Sequence, residues 1–511
     1  MATDALALRD HPRALLICSA TEFWERFSYY GMRSLLVFYL TQHFLFSDST
    51  SYLLYGTYSA TVYLTPVLGG VIADRFLGAR QAVTLGAVLL VFGHCGLALE
   101  GLGETAPGLA GRASALPPTS ASLQTFYLSL ALIATGVGFL KTNATTLVGF
   151  LYGPDDPRRD AGFTLFYMIY NVGGALAPLL CGWVGAVYGW SYGFGLAGLG
   201  MMAGLWVFLR GQREFAGMTV RGNAELLQKP WFGLNRATVA YLSAIAIVAA
   251  VWGILGHSWI TGPLLATVGG VMGIVILYNA LSSPSALERD RLLVCATLLV
   301  STIGFWAIYE QIGSSLNVFA ARMVDRHALG IEIPAPTLQS LPPIFVILGA
   351  PLASSLWLAL ARRGRDLTPA VKFSLGIAQL GLAFLVLSWG AGLGRGQPIG
   401  LGWLVASLLL LSTGELCVAP VSMAMVTALA PKRIVGMMTG ALFLAYSASG
   451  FLSGLIAQLT SARTIGGNLV DRAAALKNYA AVYGRLGALA LGAAGLLVLI
   501  SPILRRRMHR E

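Results

Sequence analysis

Apolar runs of about twenty residues recur from one end of this chain to the other, and that repetition restricts the fold more than any single residue does. A helix of roughly 20 apolar residues covers the ~30 Å hydrocarbon core of a bilayer. Such runs fall near residues 15–41, 51–73, 81–99, 123–147, 162–187 and 190–209, then 239–256 and 262–281. Six more lie near 292–320, 338–360, 370–390, 399–429, 435–461 and 481–504. The expected fold is an all-α membrane protein of about fourteen helices. Composition agrees: 56% of the 511 residues are hydrophobic and 11% are charged, less than half the roughly 25% that a water-facing surface carries. Leu242 to Leu255 and Leu401 to Leu411 would be insoluble as exposed surface. A water-soluble enzyme or binding module is excluded.

The net charge of +12 does not mark a nucleic-acid binder, because the basic residues punctuate apolar runs and gather on no single arm. They concentrate in one set of loops, with Arg75, Arg80, Arg158, Arg159, Arg362, Arg363, Arg505, Arg506 and Arg507. The opposite set holds fewer, such as Arg322, Arg326, Arg395 and Arg463. Basic loops face the cytoplasm, so the chain is expected to be a multi-pass cell-membrane protein with both termini inside. Cys18, Cys95, Cys181, Cys295 and Cys417 all lie in apolar runs without a CxxC spacing. We expect small packers there, with no disulfide framework, no metal site and no cofactor. The loop 101–122, rich in Gly, Pro and Ser, is expected to be flexible.

The runs group as six, two and six. The expected organisation is an N-terminal six-helix bundle over 1–210, a linker with two extra transmembrane helices over 211–290, and a C-terminal six-helix bundle over 291–511. Ala73–Gly86 and Arg362–Gly376 occupy equivalent inter-helix positions, as in carriers built from two related halves around a midplane site.

Seven charged residues interrupt these runs: Glu22, Glu25, Arg26, Arg33, Lys141, Glu310 and Glu415. Each costs about 2.5–3.5 kcal/mol at the centre of a membrane helix, so each must face protein or a wet cavity. On the first helix, residues 22, 26, 29 and 33 share one stripe. That stripe presents a carboxylate, a guanidinium, a phenol and a second guanidinium. Arginine forks suit a carboxylate ligand, and a carboxylate such as Glu415 suits an amine. Acids held beside cations are candidate proton carriers, because they titrate when the local charge balance changes. The bland alternative, buried ion pairs that only hold helices together, is disfavoured because such pairs stabilise poorly. His94 reads as a packed histidine. The glycines of GVG and NVGG read as close helix contacts, and no phosphate-loop motif is present.

The residues then become familiar. Glu22–Tyr30 (EFWERFSYY) resembles the ExxERFxYY motif of the proton-dependent oligopeptide transporter family, a branch of the major facilitator superfamily. Gly70–Arg80 (GVIADRFLGAR) is similar to the superfamily's loop motif. Gly136–Asn143, Phe163–Pro178, Phe305–Asn317 and Gly414–Pro420 resemble further signatures of the family in order along the chain. The inserted helix pair resembles prokaryotic members.

The resemblance implies a major facilitator fold and a proton-coupled symporter that imports di- and tripeptides by alternating access, working as a monomer with the proton as coupling ion. It implies that Arg26, Arg33 and Lys141 hold the peptide carboxylate end. Asn171, Glu310 and Glu415 would hold the amino end and gates, and Tyr29, Tyr30 and Tyr63 would line the pocket. Glu22, Glu25 and Glu310 would carry protons with Arg26 and Lys141, and Lys141 would bridge to Glu310. Asp74, Arg75 and Arg80 would form a structural latch. Three positions depart from the family pattern: Pro342 where an asparagine is usual, Leu442 for a tryptophan, and Ala419 for a serine. The alternative expectation is a related carrier for nitrate or another small non-peptide solute.

Overall fold

The computed structural model describes residues 11–102, 119–153, 155–215, 233–283, 285–328, 330–365, 367–465 and 467–508. Most of the loop expected to be flexible, residues 103–118, and residues 216–232 of the expected linker lie outside the described residues.

Fourteen long helices occur among the described residues. They are α1 Arg13–Phe38, α2 Asp48–Leu77, α3 Ala79–Glu100, α4 Ser120–Phe150, α5 Arg159–Tyr188, α6 Trp190–Phe215, α7 Arg236–Gly256 and α8 Ser258–Leu281. The rest are α9 Ala286–Met323, α10 Ala335–Arg362, α11 Pro369–Leu393, α12 Leu401–Leu429, α13 Val435–Gln458 and α14 Arg472–Met508. Thirteen are long and apolar enough to cross a membrane. The other is α1, which Glu22, Glu25, Arg26 and Arg33 make too polar by composition. The all-α membrane fold expected from the sequence is therefore the fold observed.

Two helices differ from the sequence expectation. The run near 292–320 was expected as one unbroken helix, yet α9 tightens into a 3₁₀ turn at Glu310–Gly313 before resuming at Ser315. Polar side chains support the break: Gln311 Nε2 donates to Ala307 O at 3.1 Å and to Ser453 O at 2.9 Å, and Ser315 Oγ donates to Gln311 Oε1 at 2.7 Å. The last helix begins at Arg472 rather than near 481. Asp471 Oδ1 accepts the Ala474 N–H at 2.9 Å, capping an N-terminal turn too polar to register as a span.

The fold divides into two compact units, each with its own packing. Unit 1 takes the chain through Phe44, then Thr61–His257 and Pro336–Ser340. Within it α1 packs on α5 and α6, and α3 packs on α4 and α6. The helix α7 also belongs here: Ala240 and Ala244 join Ala73, Leu77, Ala82 and Phe139 in one buried cluster. Four of the five cysteines are buried, and Cys181 packs in a second cluster with Phe27, Ala177 and Ala197.

Unit 2 takes Leu45–Ala60, Ser258–Ala335 and Leu341–Glu511. Here α11 packs on α12 and α14, α9 packs on α13, and α8 lies against α9 and α13. The early turns of α2 belong to this unit. Asp48 takes a two-pronged ion pair from Arg322, at 2.7 and 3.0 Å, and accepts the Ala462 N–H at 3.1 Å. Gln458 Nε2 donates to Ser49 O at 3.0 Å, and Ser447 Oγ donates to Ala60 O at 2.8 Å. Three two-residue ladders stitch loops: Val324–Asp325 with Ile399–Gly400 in parallel, and two antiparallel pairs, His327–Ala328 with Ile331–Glu332 and Thr464–Ile465 with Asn468–Leu469.

Asp48 is 1% exposed, so removing its partner would strand a buried carboxylate. Arg322→Ala should cost about 3–5 kcal/mol and lower the unfolding temperature of the detergent-solubilised protein. The pair Asp48→Asn with Arg322→Gln should lose less. An unchanged melting curve for Arg322→Ala would show that the pair contributes nothing.

Candidate functional site

In unit 1 the intramembrane charges converge on α1. Arg26 NH2 lies 3.6 Å from Glu22 Oε1 and Arg26 Nε lies 3.6 Å from Glu25 Oε2, with the carboxylates 2% and 1% exposed and the arginine 13% exposed. These separations exceed hydrogen-bonding length. Glu22 Oε2, Glu25 Oε2 and Arg26 Nε are buried without a hydrogen-bond partner among the described residues. One guanidinium thus shares its charge between two acids and completes a hydrogen bond with neither at these atoms. A buried pair repays its desolvation only where its geometry is good and its hydrogen bonds are made.

Aromatic rings complete the surroundings. The Arg26 guanidinium carbon stands 4.9 Å from the Tyr170 ring centroid, Arg33 stands 5.7 Å from Tyr30, and Lys141 Nζ stands 5.2 Å from Tyr63. Each contact places a cation over a π face, an attraction that strengthens where water is excluded. Tyr29 meets Tyr30 edge-on at 5.4 Å, so the two phenols of the first-helix motif are locked against each other.

Glycine sets how close the helices come. A Cβ on Gly173 of α5 would collide with Phe23 O of α1, whereas one on Gly174 would meet Tyr30 carbons at an ordinary 3.5 Å. That approach carries Tyr170, one turn before Gly173, onto Arg26. Gly138 of α4 would place a Cβ 2.7 Å from Thr65 of α2, and Lys141 follows one turn later. The glycines of NVGG and GVG therefore serve helix packing, as their position in apolar runs suggested.

In unit 2, Glu310 is 4% exposed and opens the 3₁₀ turn of α9. Its neighbour Tyr309 donates a hydrogen bond from its phenol to Glu415 Oε2 on α12. The Tyr309 ring stacks on Phe305 at 5.8 Å and meets Trp306 edge-on at 5.1 Å.

The remaining expected residues fall as follows. Asn171 Nδ2 donates to Tyr167 O at 2.7 Å within its own helix. Asp74 and Arg75 are exposed at the end of α2, where Arg236 donates to Arg75 O at 3.1 Å; Arg80 follows in the first turn of α3. His94 is fully buried against Gly198, and neither ring nitrogen has a hydrogen-bond partner among the described residues. Sequence reasoning missed Tyr170, Tyr309 and Gln311. Tyr170 precedes Asn171 in the fifth-helix motif, and Tyr309 and Gln311 flank Glu310. Their adjacency to named residues was the available signal, but which way each ring or amide turns depends on a neighbouring helix.

With this geometry established, comparison with known proteins is direct. The profile of the POT family matches residues 80–472. The peptide transporter YePEPT of Yersinia enterocolitica is 34% identical, covering 98% of this chain and 96% of that protein. The dipeptide and tripeptide permease A of Serratia proteamaculans is 31% identical, covering 97% and 92%. A crystal structure of peptide transporter POT in complex with sulfate matches with a TM-score of 0.80 at 31% identity, covering 99% of this chain and 97% of the other.

The glycine contacts yield a matched pair of variants. Gly173→Ala should destabilise the protein by about 1–3 kcal/mol through overpacking and move Tyr170 off Arg26. Gly174→Ala should be close to neutral. Thermal unfolding of both in one detergent checks this, and equal melting temperatures would contradict the packing argument.

Proposed function

Because the chain belongs to the POT family, a family of transporters and not of enzymes, we propose that it is a proton-coupled symporter importing di- and tripeptides by alternating access. The observation that carries this reading is the shared, incompletely hydrogen-bonded Arg26 between Glu22 and Glu25. A peptide carboxylate that draws Arg26 toward itself leaves one of those acids without its cation. An isolated carboxylate in a desolvated helix then takes up a proton. Binding and protonation thereby favour each other, which is the linkage that symport needs.

The division of charge supports a zwitterionic substrate. Arg26, Arg33 and Lys141 all belong to unit 1, whereas Glu310 and Glu415 belong to unit 2. We assign the carboxylate end of the peptide to the three cations and the amino end to Asn171, Glu310 and Glu415, with Tyr29, Tyr30 and Tyr63 lining the path. Glu310 and Lys141 join Glu22, Glu25 and Arg26 in proton coupling, and Asp74, Arg75 and Arg80 form a structural latch. The reading includes two six-helix bundles over 1–210 and 291–511 with an inserted pair between them, cytoplasmic termini in the cell membrane, and transport by a single chain. One charge moving down 100 mV supplies about 2.3 kcal/mol, enough for roughly fifty-fold accumulation.

In proteoliposomes, dipeptide uptake should rise with an inward proton gradient and collapse with an uncoupler. Uncoupler-insensitive uptake contradicts the coupling. Excess nitrate should not compete, and strong competition would favour a carrier of small anions. Glu22→Gln or Glu25→Gln should retain counterflow exchange while losing gradient-driven accumulation. Full accumulation by both variants would remove these acids from the proton path.

A further inference from the structure

Tyr309 is the last residue of the main segment of α9 and is 8% exposed. Its ring is clamped from its own helix: Phe305 lies parallel at an interplanar angle of 19°, and Trp306 crosses at 73°. Trp306 is itself fixed by Tyr446 of α13, edge-on at 5.8 Å and 86°. The Trp306 Nε1 is buried with no hydrogen-bond partner among the described residues, so the indole contributes shape to this stack and not a hydrogen bond there. Three rings on two helices thus determine where one phenol points. Its hydroxyl reaches Glu415 on α12.

The two partners differ in freedom. A glutamate side chain has three rotatable bonds, and Glu415 is only half-buried. A tyrosine has two, and here packing opposes both. The phenol is therefore the fixed member and the carboxylate the guided one. A phenol orients a carboxylate through its hydrogen bond and carries no charge of its own.

We propose that Tyr309 is a positioning residue that holds Glu415 in the attitude from which it receives a free α-amino group, making Tyr309 a determinant of selectivity for unblocked peptide N-termini. The inference rests on the reading above that Glu415 takes the amino end of the substrate. A merely structural phenol, one that only satisfies a carboxylate, would affect blocked and unblocked peptides alike. A positioning phenol affects only the ligand whose ammonium group meets Glu415.

The test compares wild type with Tyr309→Phe, which keeps the ring stack and removes one oxygen. Both are reconstituted in proteoliposomes and assayed for initial uptake of labelled dialanine, with N-acetyl-dialanine as competitor. Tyr309→Phe should raise the KM for dialanine roughly tenfold, the size of one charge-assisted hydrogen bond, with kcat changed less than about twofold. Its affinity for N-acetyl-dialanine should stay at the wild-type value. Phe305→Leu, which loosens the clamp and leaves the phenol in place, should shift the KM in the same direction by less. Wild-type discrimination between the two ligands in Tyr309→Phe, or an equal loss for both, overturns the inference while leaving peptide symport standing. A wild-type protein that takes up no dialanine overturns both.

Discussion

The rest of the structure depends on a guanidinium kept inside a membrane helix by two carboxylates that it cannot fully satisfy. At 3.6 Å from both Glu22 and Glu25, Arg26 gains Coulomb attraction but leaves buried polar atoms without hydrogen bonds. Such a cluster is tolerable only if lipid is kept away from it. That requirement explains why α1 is wrapped by α5 and α6, and why the closest approach of α5 falls on a glycine. The ring of Tyr170, delivered by that approach, supplies a π face in place of a third carboxylate. It stabilises the cation without adding negative charge.

Unit 2 solves the opposite problem. There a phenol donates to Glu415, and the unwound turn that begins at Glu310 is braced by the amide of Gln311 and the hydroxyl of Ser315. Neutral donors fix geometry without cancelling charge.

The inserted helices illustrate a different physical point. The pair sits between the two sets of six in sequence, yet α7 joins the core of unit 1 and α8 packs with unit 2, where Thr261 Oγ1 donates to Thr57 Oγ1 at 3.3 Å. A helix whose exposed faces are as apolar as Tyr241, Leu242, Ile245 and Trp252 suits lipid contact on one side and a bundle on the other.

Much of this protein was legible in the amino-acid sequence alone, because lipid imposes a strong one-dimensional rule. Every span must be long and apolar, so fourteen helices could be counted and most of their ends located to within a few residues, and any charge that broke the rule marked itself as a candidate site residue. Helical periodicity then grouped Glu22, Arg26, Tyr29 and Arg33 before any coordinates were known. The α9 break at Glu310, the Tyr170 face over Arg26 and the Tyr309 bond to Glu415 were decided only by the tertiary structure. Each rests on a contact between helices distant in sequence, and periodicity within one helix carries no information about what a neighbouring helix presents to it.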